Sequence, residues 1–207
     1  MVTFDLNRRP GALTPALGLG VDIVGYGCRP ARVRQDAQQR LLALMRGVLG
    51  DVGIQLGTVL YGGMSGDSMS LVLPPATDPT RALPGLLMAA SMRFAEDNER
   101  YRDRIRVRMG LDFGLAGRGP LGLVGNLIVD LDRLTDNPAI RQAVVDHLDA
   151  DVVALISNRL HGLVAPIEQL SLKHVEVIVK EYAAPAWLWT HGDREWSASL
   201  RRAALVR

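Results

Sequence analysis

The stretch LGLGVDIVGYG, Leu17–Gly27, decides how this chain reads. It is apolar and β-branched enough for a buried strand, yet Asp22 stands in its middle. A second run, SGDSMSLVLP from Ser65 to Pro74, sets Asp67 at the head of another apolar segment. An ionised carboxylate is costly to bury without a partner. Taken singly, each aspartate reads as a strand-end or turn residue bonded to its own loop. The reading turns on whether the two aspartates meet.

The surrounding chain has 207 residues, 48% hydrophobic and 22% charged, which suits one globular domain with a sizeable core. A formal net charge of +2 calls for neither a nucleic-acid nor a membrane partner. Only Lys173 and Lys180 are lysines, so each lysine is more telling than any one arginine. Cys28 is the sole cysteine, which excludes a disulfide framework and a thiolate metal site. No apolar run approaches the ~18 residues of a spanning helix. The first fifteen residues lack an apolar signal core, so a cytoplasmic location is expected.

Outward from Asp22, residues 1–16 read as an arm with Pro10 and Pro15 as breakers, 17–190 as the domain and 191–207 as a tail. Residues 17–24 predict a strand. Val33, Ala37, Leu41, Leu44, Met45, Val48 and Val52 recur at helical spacing, ended by Gly53. Residues 54–61 and 67–73 predict a hairpin around GGMSG, and 80–100 a helix. RIRVRMGLDFG alternates, with Arg104, Arg106 and Arg108 on one face, which reads as a solvated strand face. GLAGRGPLG reads as a glycine-rich loop before a helix at about 123–134. Asn137-Pro138 opens another helix. DVVALIS reads as a buried strand, 158–164 as a short helix, and 169–180 and 184–190 as the closing strands. This order predicts an α+β fold, a ferredoxin-like α/β sandwich with a mixed, mostly antiparallel sheet.

Five segments carry a resemblance, in order, over residues 17–190. VDIVGYG is similar to the first strand of class III nucleotide cyclases, where Asp-Ile is followed by Val-Gly-Phe. SGDSMSLVLP resembles their hairpin, in which Gly-Asp opens the return strand. RVRMGLDFG resembles their Arg-Ile-Gly-Ile-His-x-Gly strand, with Asp112 in place of His. GLVGNLIVDLDRL resembles the helix ending in Ala-Arg-Leu, and VKEYAAPAWLW the closing Lys-Gly-x-x-x-Pro strands. A divergent actinobacterial cyclase-like group is closer still, with a Leu-Asp motif before the Asn-Pro helix and Pro-Ala-Trp near the end.

The resemblance implies a chemistry. The ribose 3′-oxygen of a nucleoside triphosphate attacks its own α-phosphorus, assisted by two Mg²⁺ or Mn²⁺ ions. Carried over, the ions fall to Asp22, Asp67 and the carbonyl of Ile23. Gly25, Tyr26, Gly27 and Cys28 form a loop whose N–H groups would hold phosphate, and Lys180 matches a phosphate-contacting lysine. Arg133 matches the arginine that meets charge on the α-phosphoryl group. The family asparagine four residues earlier is Val129 here, and Asn126, one turn before it, is the candidate substitute. The local alternative for Arg133 is an ion pair with Asp130 or Asp132. Gly63 and Gly122 stand where purine cyclases carry their base-selecting Lys and Asp, so a purine preference does not carry over.

The four histidines lack metal-ligand spacing, and there is no P-loop or nucleophile elbow. Trp187 and Trp189 lie on one face of the last strand and read as packing or dimer contacts. Two functions fit. One is a nucleotidyl cyclase acting as a head-to-tail homodimer. The other is a cyclase-homology module without turnover that binds a nucleotide or regulates an effector protein, a context the resemblance links to bacterial antiphage signalling.

Overall fold

The computed structural model describes residues 12–120, 122–164, 170–180 and 182–190. The expected tail at 191–207 and most of the expected arm lie outside the described residues.

The strand carrying Asp22 is β1 (Thr14–Ile23), and it begins inside the stretch read as arm. Pro15 is tolerated there because β1 extends past the end of its neighbour β3 (Ser68–Val72), whose register with β1 runs from Gly18 to Asp22. The other strands are β2 (Leu60–Ser65), β4 (Val107–Gly119), β5 (Gly122–Val124), β6 (Val152–Ser157), β7 (Lys173–Val179) and β8 (Tyr182–Thr190). The helices are α1 (Ala31–Asp51), α2 (Pro79–Arg100), α3 (Asn126–Thr135), α4 (Pro138–Asp146) and α5 (Asn158–Val164). The sheet order is β2-β3-β1-β4-β6-β8-β7, with β5 attached to β4. Among the described residues only the β4–β6 pair is parallel; the others are antiparallel. This is the expected α+β sheet, with helices on both faces.

Alternation along β1 sorts its residues between those faces. Leu17, Leu19, Val21 and Ile23 join the main core with α1, α2 and α5. Arg40 of α1 is buried, donates to Asp97 of α2 and lies 4.2 Å over the Tyr101 ring, which ties the two helices together. The opposite face of β1 presents Gly18, Gly20 and Asp22. Directly across on β4 stand Asp112, Gly110 and Arg108. α3 lies on this glycine strip. A Cβ added at Gly110 would come within 2.8 Å of Leu134 Cβ and 3.1 Å of the Leu131 carbonyl oxygen. Here glycine is required by close approach, and the strip fixes α3 over the β1–β4 pair.

Asn137 is the N-cap of α4, its side chain accepting from the Ile140 N–H at 3.1 Å while its amide donates to the Arg133 and Leu134 carbonyls. That double use joins the end of α3 to the start of α4. α4 and the last turn of α3 cover β6, β7 and β8 through Leu134, Ile140, Ala143 and Val144.

Three local expectations are corrected. GLAGRG is the second half of β4, its first three residues paired with Thr14–Ala16 and its last three with β5. The hairpin turn is Gly66-Asp67, with β2 running through GGMS and a short 3-10 helix at Leu56–Thr58. Arg104 and Arg106 precede β4, and although Arg104 is exposed both guanidinium groups are bonded to the chain. Arg104 donates to Asp151 and to the Leu148 and Asp149 carbonyls, and Arg106 to the Val144, His147 and Ala150 carbonyls. Trp187 and Trp189 both pack against the main core.

Candidate active site

Asp22 is the penultimate residue of β1, opposite Ser68 on β3 and Arg108 on β4. Asp67 is the second residue of the Gly66-Asp67 turn, where φ of +52° suits Gly66. Its carbonyl accepts from the Ile23 N–H at 3.0 Å. The two aspartates are thereby held beside each other at one end of the sheet.

Asp22 is 9% exposed. Burial pushes its carboxyl above the ordinary value, the Arg108 guanidinium pulls it back, and the charges of Asp67 and Asp136 add to the rise. Asp67 is thus near enough for its charge to be felt at Asp22. Arg108 Nη2 donates to Asp22 Oδ2, and its Nη1 lies 3.6 Å from Asp136 Oδ1 just past α3. Arg108 Nε is buried without an acceptor. Sequence reading missed this arginine as a partner. The signal was its alternation with Gly110 and Asp112, which sets it on the Asp22 face once β1 and β4 pair.

The donor set suits a hard divalent cation. Mg²⁺ is usually held by one or two carboxylates, with water and substrate phosphates completing the shell. Asp22 and Asp67 meet that requirement. Among the described residues no group of three or more His, Cys, Asp or Glu converges, so an all-protein cage is not what this site offers.

The loop Gly25–Cys28 follows directly. Gly25 has φ of +68° and Tyr26–Cys28 form one 3-10 turn before α1. The Cys28 N–H donates to the Gly25 carbonyl at 3.2 Å, so that donor is used inside the turn. Space beside Gly25 and Gly27 is open within 4 Å of an added Cβ. Gln38 of α1 donates to the Tyr26 hydroxyl at 2.8 Å and also to the Gly66 carbonyl, linking the loop to the Asp67 turn.

Arg133 faces elsewhere. Its Nη1 donates to Asp130 at 3.0 Å and its guanidinium lies 4.3 Å over the Tyr182 ring. Asp130 also accepts from Arg159 at 3.0 Å, and Arg159 donates to the fully buried Asp112, which accepts from Ser157 as well. The Arg133–Asp130 pair is the local alternative named above; its extension through Arg159 from α3 to Asp112 of β4 was not anticipated. Asn126 accepts from the Leu115 N–H at 2.9 Å and anchors the first turn of α3 to β4.

No family model matches the chain, and no curated protein matches it by sequence. Solved structures do match by shape. The guanylyl cyclase Cya2 superposes with a TM-score of 0.64 at 14% identity, covering 90% of this chain and 97% of that one. The adenylyl cyclase CyaB from P. aeruginosa gives 0.61 at 15%, covering 88% and 97%. The guanylate cyclase domain of RhGC from Catenaria anguillulae, in complex with GTP, gives 0.59 at 17%, covering 86% and 97%. The chain has the fold of the class III nucleotide cyclase catalytic domain.

Within this cyclase fold the remaining sequence candidates separate in space. Gly63 lies in β2, and Gly122 opens β5 with φ of +126°. Lys180 sits in the β7–β8 turn with φ of +53°, at the sheet edge away from β1. At about 4.8 Å per strand step, that edge is offset by about 15–20 Å from β1, and Lys180 stands at the end of β7 far from the level of Asp22. One chain therefore brings Asp22 and Asp67 together and leaves Lys180 apart. A surface cleft of about 490 Å³ borders Asp136 and runs along the start of α4, lined by Asn137, Pro138, Arg141, Gln142 and Val145, and it contains neither aspartate.

Proposed function

We propose that this chain is a nucleotidyl cyclase, converting a nucleoside triphosphate to its 3′,5′-cyclic monophosphate and pyrophosphate. The observation that carries the reading is that, in a cyclase fold, Asp67 lies in the turn before β3 with its carbonyl bonded to the residue that follows Asp22. Complexes of two such structures with GTP and with ATPαS support a nucleoside triphosphate as the ligand class.

In this reading Asp22, Asp67 and the Ile23 carbonyl hold divalent cations. The cations, Mg²⁺ or Mn²⁺, would lower the cost of ionising the 3′-hydroxyl and of releasing pyrophosphate. The 3′-oxygen, its proton given up to solvent water, forms a bond to the α-phosphorus as the bond from that phosphorus to the β-phosphate oxygen breaks. Open backbone beside Gly25 and Gly27 accommodates phosphate. Arg133 and Lys180 come from a second copy in a head-to-tail homodimer, which the separation of Lys180 from Asp22 within one chain favours. Gly63 and Gly122 offer no side chain to a base, so base discrimination is weak or rests on backbone groups.

A second reading, a nucleotide-binding or effector-regulating module without turnover, is favoured by one observation. Asp22 already carries a cation, the Arg108 guanidinium. Purified protein with Mn²⁺ and each of ATP, GTP, CTP and UTP, with products resolved by mass, separates the two. A cyclic monophosphate from any of them supports the enzyme. Mn²⁺-dependent binding without product supports the module.

A further inference from the structure

Arg108 is held less fully than Arg93. Arg93 grips Asp51 with two N–H groups on two oxygens, both at 2.6 Å. Arg108 offers Asp22 one N–H, keeps Nε without an acceptor, and holds its other terminal nitrogen 3.6 Å from Asp136. A bidentate pair is the strong arrangement for arginine and carboxylate, and this one is not bidentate. Its two acceptors also differ in setting. The Asp22 side chain is 12% exposed and that of Asp136 61%. The guanidinium thus bridges a buried acid and a solvated one, with Asp67 adding a further negative charge at the buried end.

We infer that Arg108 and a divalent cation are alternative partners of Asp22, and that Asp136 receives Arg108 when the cation binds. The inference rests on the reading of Asp22 and Asp67 as a cation site. Two positive charges at one carboxylate repel at short range, where water screens them least. The cation therefore binds against Arg108, and the site is held closed until the cation concentration, or a triphosphate that brings the cation, overcomes it. Asp136 makes the exchange cheaper, because the released guanidinium stays paired.

Mn²⁺ alone is the probe, titrated into the full chain at pH 8 with free Mn²⁺ followed by electron paramagnetic resonance. Arg108→Met is expected to bind Mn²⁺ about tenfold more tightly than the native chain, about 1.4 kcal/mol. Arg108→Gln keeps a polar side chain without the charge and is expected to do the same, with circular dichroism checking that both fold. Asp136→Asn is expected to weaken Mn²⁺ binding more in the native background than in the Arg108→Met background, where only the direct pull of its charge is lost. Asp22→Asn in the Arg108→Met background should abolish the gain. Asp22-dependent binding that is equal in the native and both Arg108 variants overturns this inference and leaves the cation site standing. Binding that needs Asp22 in no variant, or no binding at all, overturns both.

Discussion

Asp22 and Arg108 face each other across the β1–β4 pair and form an ion pair, with Asp136 within 3.6 Å of the same guanidinium. The pair stands at one end of a strip whose middle is glycine and whose other end is the buried Asp112. One face of two strands thus holds two acids, one arginine and the bed of α3. Helix placement and site electrostatics are properties of the same six residues, Gly18, Gly20, Asp22, Arg108, Gly110 and Asp112.

The bed is testable first. Gly110→Ala puts a methyl group within 3.1 Å of the Leu131 carbonyl oxygen, and backbone cannot rotate away. The expected cost is about 1–3 kcal/mol, or roughly 2–12 °C in melting temperature for a chain of this size. Gly27→Ala, with open space around it, serves as the control and should be near neutral. Thermal melts followed by circular dichroism compare the two.

The buried acid gives a pH signature. Burial pushes the Asp112 carboxyl above the ordinary 3.8, and the bonds from Arg159 and Ser157 offset only part of the rise. The folded chain keeps a proton there over a range in which the unfolded chain has lost it. That group's stabilisation is complete below 3.8 and is lost as pH rises through the raised value. Melting temperatures of native and Asp112→Asn chains, taken from about pH 4 to pH 8, should therefore differ in slope. The native chain loses stability relative to the variant across the lower part of the range, and parallel curves would contradict this.

Much of this was legible in the sequence. The apolar run with Asp22, the Gly-Asp of the hairpin and the Asn-Pro cap of α4 each announce their local structure, because their causes are local. The misread segments have distant causes. GLAGRG looks like a loop because glycine is common in turns. Here Gly117 is needed where an added Cβ would come within 3.0 Å of the Ala12 carbonyl oxygen on the chain leading into β1. Arg104 and Arg106 look solvated because they alternate with apolar residues, and their acceptors lie more than 35 residues away. Arg108 becomes a partner of Asp22 only when β1 lies beside β4, a fact of strand order that no window reveals. Tyr182 beneath Arg133 is hidden for the same reason.

The division of the site between two copies predicts complementation. If Asp67 and Arg133 act in different chains of one site, the single variants Asp67→Ala and Arg133→Ala should each lose nearly all cyclase activity. Mixed in equal amounts, they should regain a substantial part, because a mixed dimer has one site built from two intact halves. Activity of the mixture no greater than the mean of the two variants would contradict a shared site.

The most direct test is calorimetric titration of ATP, GTP, CTP and UTP into the native chain and into Asp67→Ala, with and without Mn²⁺. The account predicts that the native chain binds nucleoside triphosphates only with Mn²⁺, that the four bases give affinities within about tenfold of one another, or 1.4 kcal/mol, and that Asp67→Ala abolishes binding. Binding that survives in Asp67→Ala, or that needs no divalent cation, would contradict the assignment of Asp22 and Asp67 as the centre of the site.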